Sequence, residues 1–303
     1  MQSAITIKYA ANEFLNTLTD KQMDKEIRIG AINNLKIMRF KEPGAFLSAE
    51  NGDEVLLPNR YVEKHMKEGD EVDVFVYTDS EDRPVAATER PLAMAGEFGF
   101  FEVVSVAEFG AFVDWGLPKD LFVPKRFQKT PFRVGDSRIL RVIIDGETNR
   151  VVGDESVTKY LKKAENELKK FDRVGILVLA KTPMGYKCIV NDSYEGMIYE
   201  NEIFEKVYVG DLKTAYVKNV RPDGKLDLSL FAIGEQKKDE AQEKLLALLK
   251  RKGGKIPLNY KSDAEEIQGL TKMSKKSFKA ALTALLAENT IAVDENGVTL
   301  LGR

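Results

Sequence analysis

The heptapeptide Glu108-Phe109-Gly110-Ala111-Phe112-Val113-Asp114 sets two phenylalanines three residues apart around a glycine. Flat rings at that spacing, facing solvent, can stack on unpaired bases, each stacked base contributing about 1–3 kcal/mol. Strict alternation puts Phe109, Ala111 and Val113 on one face of a strand and Gly110 and Phe112 on the other. Gly110 has no Cβ, so a kink or bulge there would turn both rings toward one groove. The competing reading is that one or both rings fill a core. A second group, Tyr186, Lys187, Tyr199, Lys218, Arg221 and Lys225, mixes aromatic and cationic side chains, a set suited to stacking and to neutralising phosphates. Lys275, Lys276 and Lys279 open a helix whose free N–H groups would share an anion with their ammonium charges. A solvated helix face explains those lysines equally well. The helix lacks arginine and asparagine, the residues best suited to reading base edges, which favours backbone contact or no nucleic acid at all.

Other chemistries find little here. The chain has one histidine, His65, and one cysteine, Cys188, so acid–base catalysis would have to rest on carboxylates or lysines. No phosphate loop, nucleophile elbow, dinucleotide fingerprint or metal-ligand spacing occurs. The expectation is a protein that is not an enzyme and needs no cofactor or metal. A lone cysteine forms no internal disulfide and fits a reducing cytoplasm. No apolar run approaches the ~20 residues of a membrane span, and the N-terminus has no signal-peptide layout.

The elements that must hold these residues come as a repeat. A glycine opening a strand is followed twenty-five residues later by a Gly-Asp pair three times: Gly44…Gly69-Asp70, Gly110…Gly135-Asp136 and Gly185…Gly210-Asp211. Such spacing points to one small β module used three times. The repeats span 26–90, 91–153 and 171–234. Each reads as five short strands separated by turn residues, a closed barrel of the OB type. The first strand of each repeat and its partners are expected at 27–36, 97–106 and 173–181 onward. Repeat one holds nine Lys/Arg against fourteen Asp/Glu, net −5, which argues against phosphate binding there and leaves it a structural or protein-docking role. Residues 236–303 hold thirteen against nine, net +4.

Residues 1–25 form an N-terminal extension with a weak helical pattern around 12–18. In the segment 154–170, Tyr160, Leu161, Ala164 and Leu168 recur at helical spacing, so a connecting helix is expected. After repeat three the period changes. Helices are expected at 237–252, stopped by Gly253-Gly254, at 262–268, and at 274–288 with Ser274 as cap. A hairpin turning at Glu295-Asn296-Gly297 follows. Three helices and a hairpin make a winged helix, so the fold class is mainly β, with three five-stranded barrels and an α-rich C-terminal domain over 235–303. Trp115 is expected to plug a loop or an inter-domain seam rather than to contact a base.

Glu108–Val113 resembles the second-strand signature of S1 domains, the RNA-binding OB-folds of ribosomal protein S1 and bacterial ribonucleases. In that family two aromatics, a histidine ending the third strand, and an Asp and Arg around the last turn make the RNA face. The resemblance carries these roles onto Phe109, Phe112, Pro124, Asp145 and Arg150 in repeat two. In repeat one they fall on Pro43, Phe46, Pro58, Asp79 and Arg83, and in repeat three on Met184, Lys187, Tyr199, Arg221 and Lys225. No repeat keeps the whole set, and the histidine is absent from all three. Three such repeats with a winged helix resemble the conserved virulence factor B family of bacteria. The resemblance rests on Asp114-Trp115-Gly116-Leu117-Pro118, on Leu121-Phe122-Val123-Pro124 and on Met273–Ala281. It implies a cytoplasmic, RNA-binding post-transcriptional regulator of gene expression without catalytic activity. Single-stranded RNA is the expected partner, bound through repeats two and three with winged-helix support. The alternatives are a protein-interaction scaffold that keeps the barrels but has lost the RNA face, with repeat one as a docking module, and a duplex-DNA regulator acting through the winged helix.

Overall fold

The computed structural model describes residues 24–165, 167–231, 236–288 and 290–301, with residues 236–240 described by backbone only. The reading of a helix around 12–18 lies outside the described residues. Two compact units are present. One comprises the chain as far as Ala164 with Val174–Thr214 and Asp223–Lys225; the other comprises Glu165–Arg173, Ala215–Pro222 and the chain from Leu226 onward.

In the first unit, β1 (Ile32–Lys41), β2 (Gly44–Ser48), β3 (Glu54–Pro58), β4 (Glu71–Thr78) and β5 (Pro84–Ala87) close a barrel in the order β1-β2-β3-β5-β4. Barrel 2 repeats the plan with β6 (Phe98–Ala107), β7 (Gly110–Asp114), β8 (Leu121–Pro124), β9 (Ser137–Ile144) and β10 (Val151–Asp154). In both barrels only the third and fifth strands pair in parallel. A third closed barrel joins β11 (Arg173–Thr182), β12 (Gly185–Val190), β13 (Tyr194–Tyr199), β14 (Leu212–Val220) and β15 (Leu226–Ser229); the boundary between the units runs through it. Alternation drives each strand: on β7, Ala111 and Val113 are fully buried while Phe112 between them is half-buried.

The repeated Gly-Asp pair is one turn built three times. Gly69, Gly135 and Gly210 take φ of +95°, +84° and +92°, the left-handed region that only glycine enters without strain. The following aspartate accepts the N–H three residues back: Asp70 from Lys67 (2.8 Å), Asp136 from Arg133 (3.0 Å), Asp211 from Tyr208 (2.9 Å). The pair then latches both backbone groups of one residue on the barrel's long first strand. Ile37 N–H donates to Asp70 O and Ile37 O accepts from Gly69; Val103 does the same with Asp136 and Gly135, and Val178 with Asp211 and Gly210. Each latched residue borders the β-bulge of that strand, which bends it around the barrel.

Barrels 1 and 2 share one continuous apolar core. Trp115, 2% exposed, lies edge-on to Phe75 and Tyr77 of barrel 1 at 5.7 and 6.2 Å. Of the two places its position left open, a loop or a seam, it fills the seam. Lys119 reaches across the same seam to donate to Thr78 O and Asp79 O, 2.7 Å each.

Among the described residues of 154–170 the expected connecting helix does not form. They make a single 3-10 turn at Val157–Tyr160 and no further helix, with Lys162 bridging to Tyr194. Tertiary contacts override the helical period. Fully buried Asp154 accepts from Tyr160 Oη (2.6 Å), Lys159 Nζ (2.7 Å) and the Ser156 N–H (2.7 Å). Tyr160 and Leu161 pack against a small cluster of Phe98, Ile139, Val157, Leu177 and Ile189. Ala164, fully buried, donates its N–H to Gly224 O.

The winged helix folds around its own core. It comprises α1 (Gln236–Arg251), β16 (Lys255–Ile256), α2 (Ala264–Thr271), α3 (Lys275–Ala287), β17 (Ile291–Asp294) and β18 (Gly297–Leu300), with sheet order β16-β18-β17. Leu245, Leu249, Phe278, Leu282 and Leu285 supply the stripes read from the sequence. Asp263 caps α2 in a capping box and Ser274 caps α3 through the Ser277 N–H.

Burial pushes the Asp154 carboxyl upward, but hydrogen bonds from Lys159, Tyr160 and Ser156 outweigh it, so its pKa lies below the ordinary aspartate value. The stabilisation it gives is therefore present above about pH 4 and lost as acid protonates the folded-state carboxylate. Asp154→Asn is expected to lower stability at pH 7 by about 1–3 kcal/mol. Urea unfolding from pH 7 to pH 3 should show the difference from wild type shrinking with acid.

Candidate nucleic-acid interface

The β6–β7 turn and the β7–β8 hairpin build an aromatic surface on barrel 2. Phe109 lies in the turn at Glu108-Phe109, before β7 begins, so it escapes the alternation that would have placed it beside Ala111 and Val113. It is 64% exposed. Its carbonyl is fixed by the Lys125 N–H at 3.0 Å. Phe112 on β7 and Phe122 on β8 are cross-strand partners. Their rings stand 5.1 Å apart and tilted at 38°, and Phe109 lies 6.3 Å from the first and 5.6 Å from the second. Both expected rings thus face outward, joined by Phe122, whose role the sequence reading missed. The signal was there in Leu121-Phe122-Val123, which alternates in register against Ala111-Phe112-Val113.

Gly110 makes this surface possible without kinking the strand. A Cβ there would fall 2.5 Å from both the Phe122 ring and the Val123 carbonyl. The glycine is a close-approach device.

Beside the rings, at the seam with barrel 1, a cavity of about 370 Å³ is lined by Phe109, Phe112 and Phe122 together with Tyr77, Ser80 and Asp120. Arg150 stands on its rim, ion-paired with Asp82 of barrel 1. Lys119 lines it too, and burial lowers its pKa. Exposed Lys125 follows Pro124 at the end of β8. Asp145, which the S1 resemblance placed on the face, is instead buried and accepts from Arg126 and Thr148, 2.7 Å each.

In repeat one, the Arg39 guanidinium sits 4.4 Å over the Phe46 ring and Asp79 binds Arg83 at 2.8 Å. In repeat three, Tyr186 is buried rather than offered to solvent, because Gly185 starts β12 and alternation turns the next side chain inward. Lys187 and Tyr199 are half-buried on β12 and β13. Lys225 is ion-paired with Glu195 at 3.0 Å, and Arg221 with Asp227 at 2.7 Å. Lys218 is half-buried on β14. On α3, Lys276 and Lys279 are exposed and Lys275 is half-buried. His65 is exposed and 3.4 Å from Glu63, and burial pushes the Cys188 thiol up to about 12. Among the described residues no His, Cys, Asp and Glu group could hold a metal, and no helix is long and apolar enough to cross a membrane.

The S1 domain family matches residues 29–89, and the CvfB-like winged helix domain family matches residues 243–300. The chain is 29% identical to the protein YitL of Bacillus subtilis (strain 168), covering 91% of this chain and 94% of that one. It is 25% identical to conserved virulence factor B of Staphylococcus saprophyticus, covering 92% and 96%. A crystal structure described as a multidomain protein with nucleic acid binding domains, from Streptococcus pneumoniae, shares 24% identity over 90% of this chain and 98% of that one, with a TM-score of 0.38. The chain carries an S1 domain and a CvfB-like winged helix, and it resembles conserved virulence factor B over nearly its whole length.

Gly110→Ala is expected to destabilise the fold by about 1–3 kcal/mol through overpacking and to displace the Phe122 ring. Thermal unfolding and the aromatic proton shifts of Phe109 and Phe122 would read both effects.

Proposed function

We propose that the chain binds single-stranded RNA across the outer face of barrel 2 and acts as a cytoplasmic post-transcriptional regulator, without a catalytic step of its own. Three adjoining rings on the surface of an S1-type barrel carry this reading, because bases stack on such rings and every unpaired base has a face to offer. Duplex bases are already stacked on each other and cannot use them. Exposed Lys125 and rim residue Arg150 supply charge for the phosphates, although Arg150 must be drawn from Asp82. Barrel 3, with Tyr186 buried and Lys225 and Arg221 in ion pairs, is assigned a supporting role at most. The exposed Lys276 and Lys279 of α3 favour sequence-independent phosphate contact by the winged helix, which also keeps duplex DNA as a second reading.

Fluorescence anisotropy with a labelled single-stranded RNA tests the proposal. Phe109→Ala should weaken binding about 5- to 150-fold, the equivalent of one lost stacked base at ~1–3 kcal/mol. Lys125→Ala should flatten the log affinity–log salt slope by about 0.7, one single-strand phosphate contact. Unchanged affinity in folded Phe109→Ala would remove the aromatic face from the site. Tighter binding to a duplex would move the site to α3, and no binding to any nucleic acid would leave a protein-interaction scaffold.

A further inference from the structure

We propose that the cavity at the seam of barrels 1 and 2 reads one base of the bound strand and selects guanine, with Asp120 as the specificity-determining residue. The inference deepens the RNA-binding reading and rests on it. At about 370 Å³ the cavity is in the range of small-ligand sites and larger than a single base requires. It opens beside the three phenylalanines, so a base leaving the stack on Phe109 or Phe122 has the cavity as its neighbour.

The polar groups lining the cavity are unevenly occupied. Lys119 is engaged by Thr78 O and Asp79 O, and Arg150 by Asp82. Asp120 is different: its half-buried carboxylate has no hydrogen-bond or ion-pair partner among the described residues. Partial burial and the charge of Asp114 both raise its pKa. An ionised carboxylate accepts only, through two oxygens a fixed distance apart. Its best match among the bases is a pair of adjacent N–H donors.

Guanine presents that pair on its Watson–Crick edge, N1–H beside the N2 amino group. Uracil presents a single N3–H flanked by two carbonyl oxygens, which a carboxylate repels. Adenine and cytosine each place one amino group beside an acceptor nitrogen, so one carboxylate oxygen stays unpaired. The Ser80 hydroxyl, a donor in the same cavity, suits the guanine O6. The loss of a matched buried partner is what makes such a site discriminate.

Anisotropy on two nine-nucleotide RNAs, all uridine or with one central guanosine, gives the test on the full chain. The wild type should prefer the guanosine strand by about 5- to 150-fold, the discrimination of one bidentate pair. Asp120→Asn, which keeps the shape but turns one acceptor into a donor, should bring that preference near unity, weakening the guanosine strand and, with the repulsion of uracil oxygens relieved, strengthening the uridine strand. On the unaltered chain, guanosine monophosphate should displace the labelled strand at lower concentration than uridine monophosphate. Equal affinity for both strands, or a preference that survives in Asp120→Asn, overturns the guanine assignment and leaves RNA binding standing. Failure to bind either strand overturns the RNA reading itself, and the inference with it.

Discussion

The missing side chain at Gly110 is the constraint from which the surface of barrel 2 follows. Strands β7 and β8 approach so closely there that a methyl group would meet both the Phe122 ring and the Val123 carbonyl. With hydrogen in that place, Phe122 lies over the backbone of β7, pairs across the ladder with Phe112, and meets Phe109 from the preceding turn. The same restriction holds at Gly44 and Gly185, where a Cβ would run into the carbonyls of Leu57 and Ile198. The glycine is therefore a requirement of the barrel, used three times. It became part of a candidate binding surface where Phe109, Phe112 and Phe122 adjoin one another around it, whereas Tyr186 beside Gly185 is buried.

This distinction explains how much of the molecule was legible in its sequence. The twenty-five-residue spacing was readable because backbone geometry enforces it: a close-approach glycine, then a left-handed glycine and an aspartate that latch the bulged first strand. The barrels and the winged helix followed from periodicity and turn chemistry. The segment after Asp154 misled because Tyr160, Leu161 and Ala164 are spaced for a helix but are spent on contacts with barrels 2 and 3. No local pattern records that Asp154 would be buried and would hold Tyr160 and Lys159 to itself.

The candidate site was legible in part. Phe109 and Phe112 were visible by spacing, although Phe109 reaches the surface as a turn residue and not through a kinked strand. Barrel 3 offered the richer composition, yet Tyr186 points inward and Arg221 and Lys225 meet carboxylates brought near by folding. Composition counts charges; it does not show which are already neutralised. Conversely, the acidic first repeat, which sequence reading set apart from nucleic acid, contributes Tyr77, Ser80 and Asp82 to the cavity wall. Its carboxylate at Asp82 restrains Arg150, so a polyanion has to compete for that guanidinium.

Ultraviolet crosslinking of the full chain to a single-stranded RNA, with the modified residues located by mass spectrometry, addresses the central claim most directly, because zero-length crosslinks form where a base and a ring are in contact. Crosslinks at Phe109 and Phe122 are the predicted result. Crosslinks confined to barrel 3 or to α3, with none between Glu108 and Lys125, would contradict it.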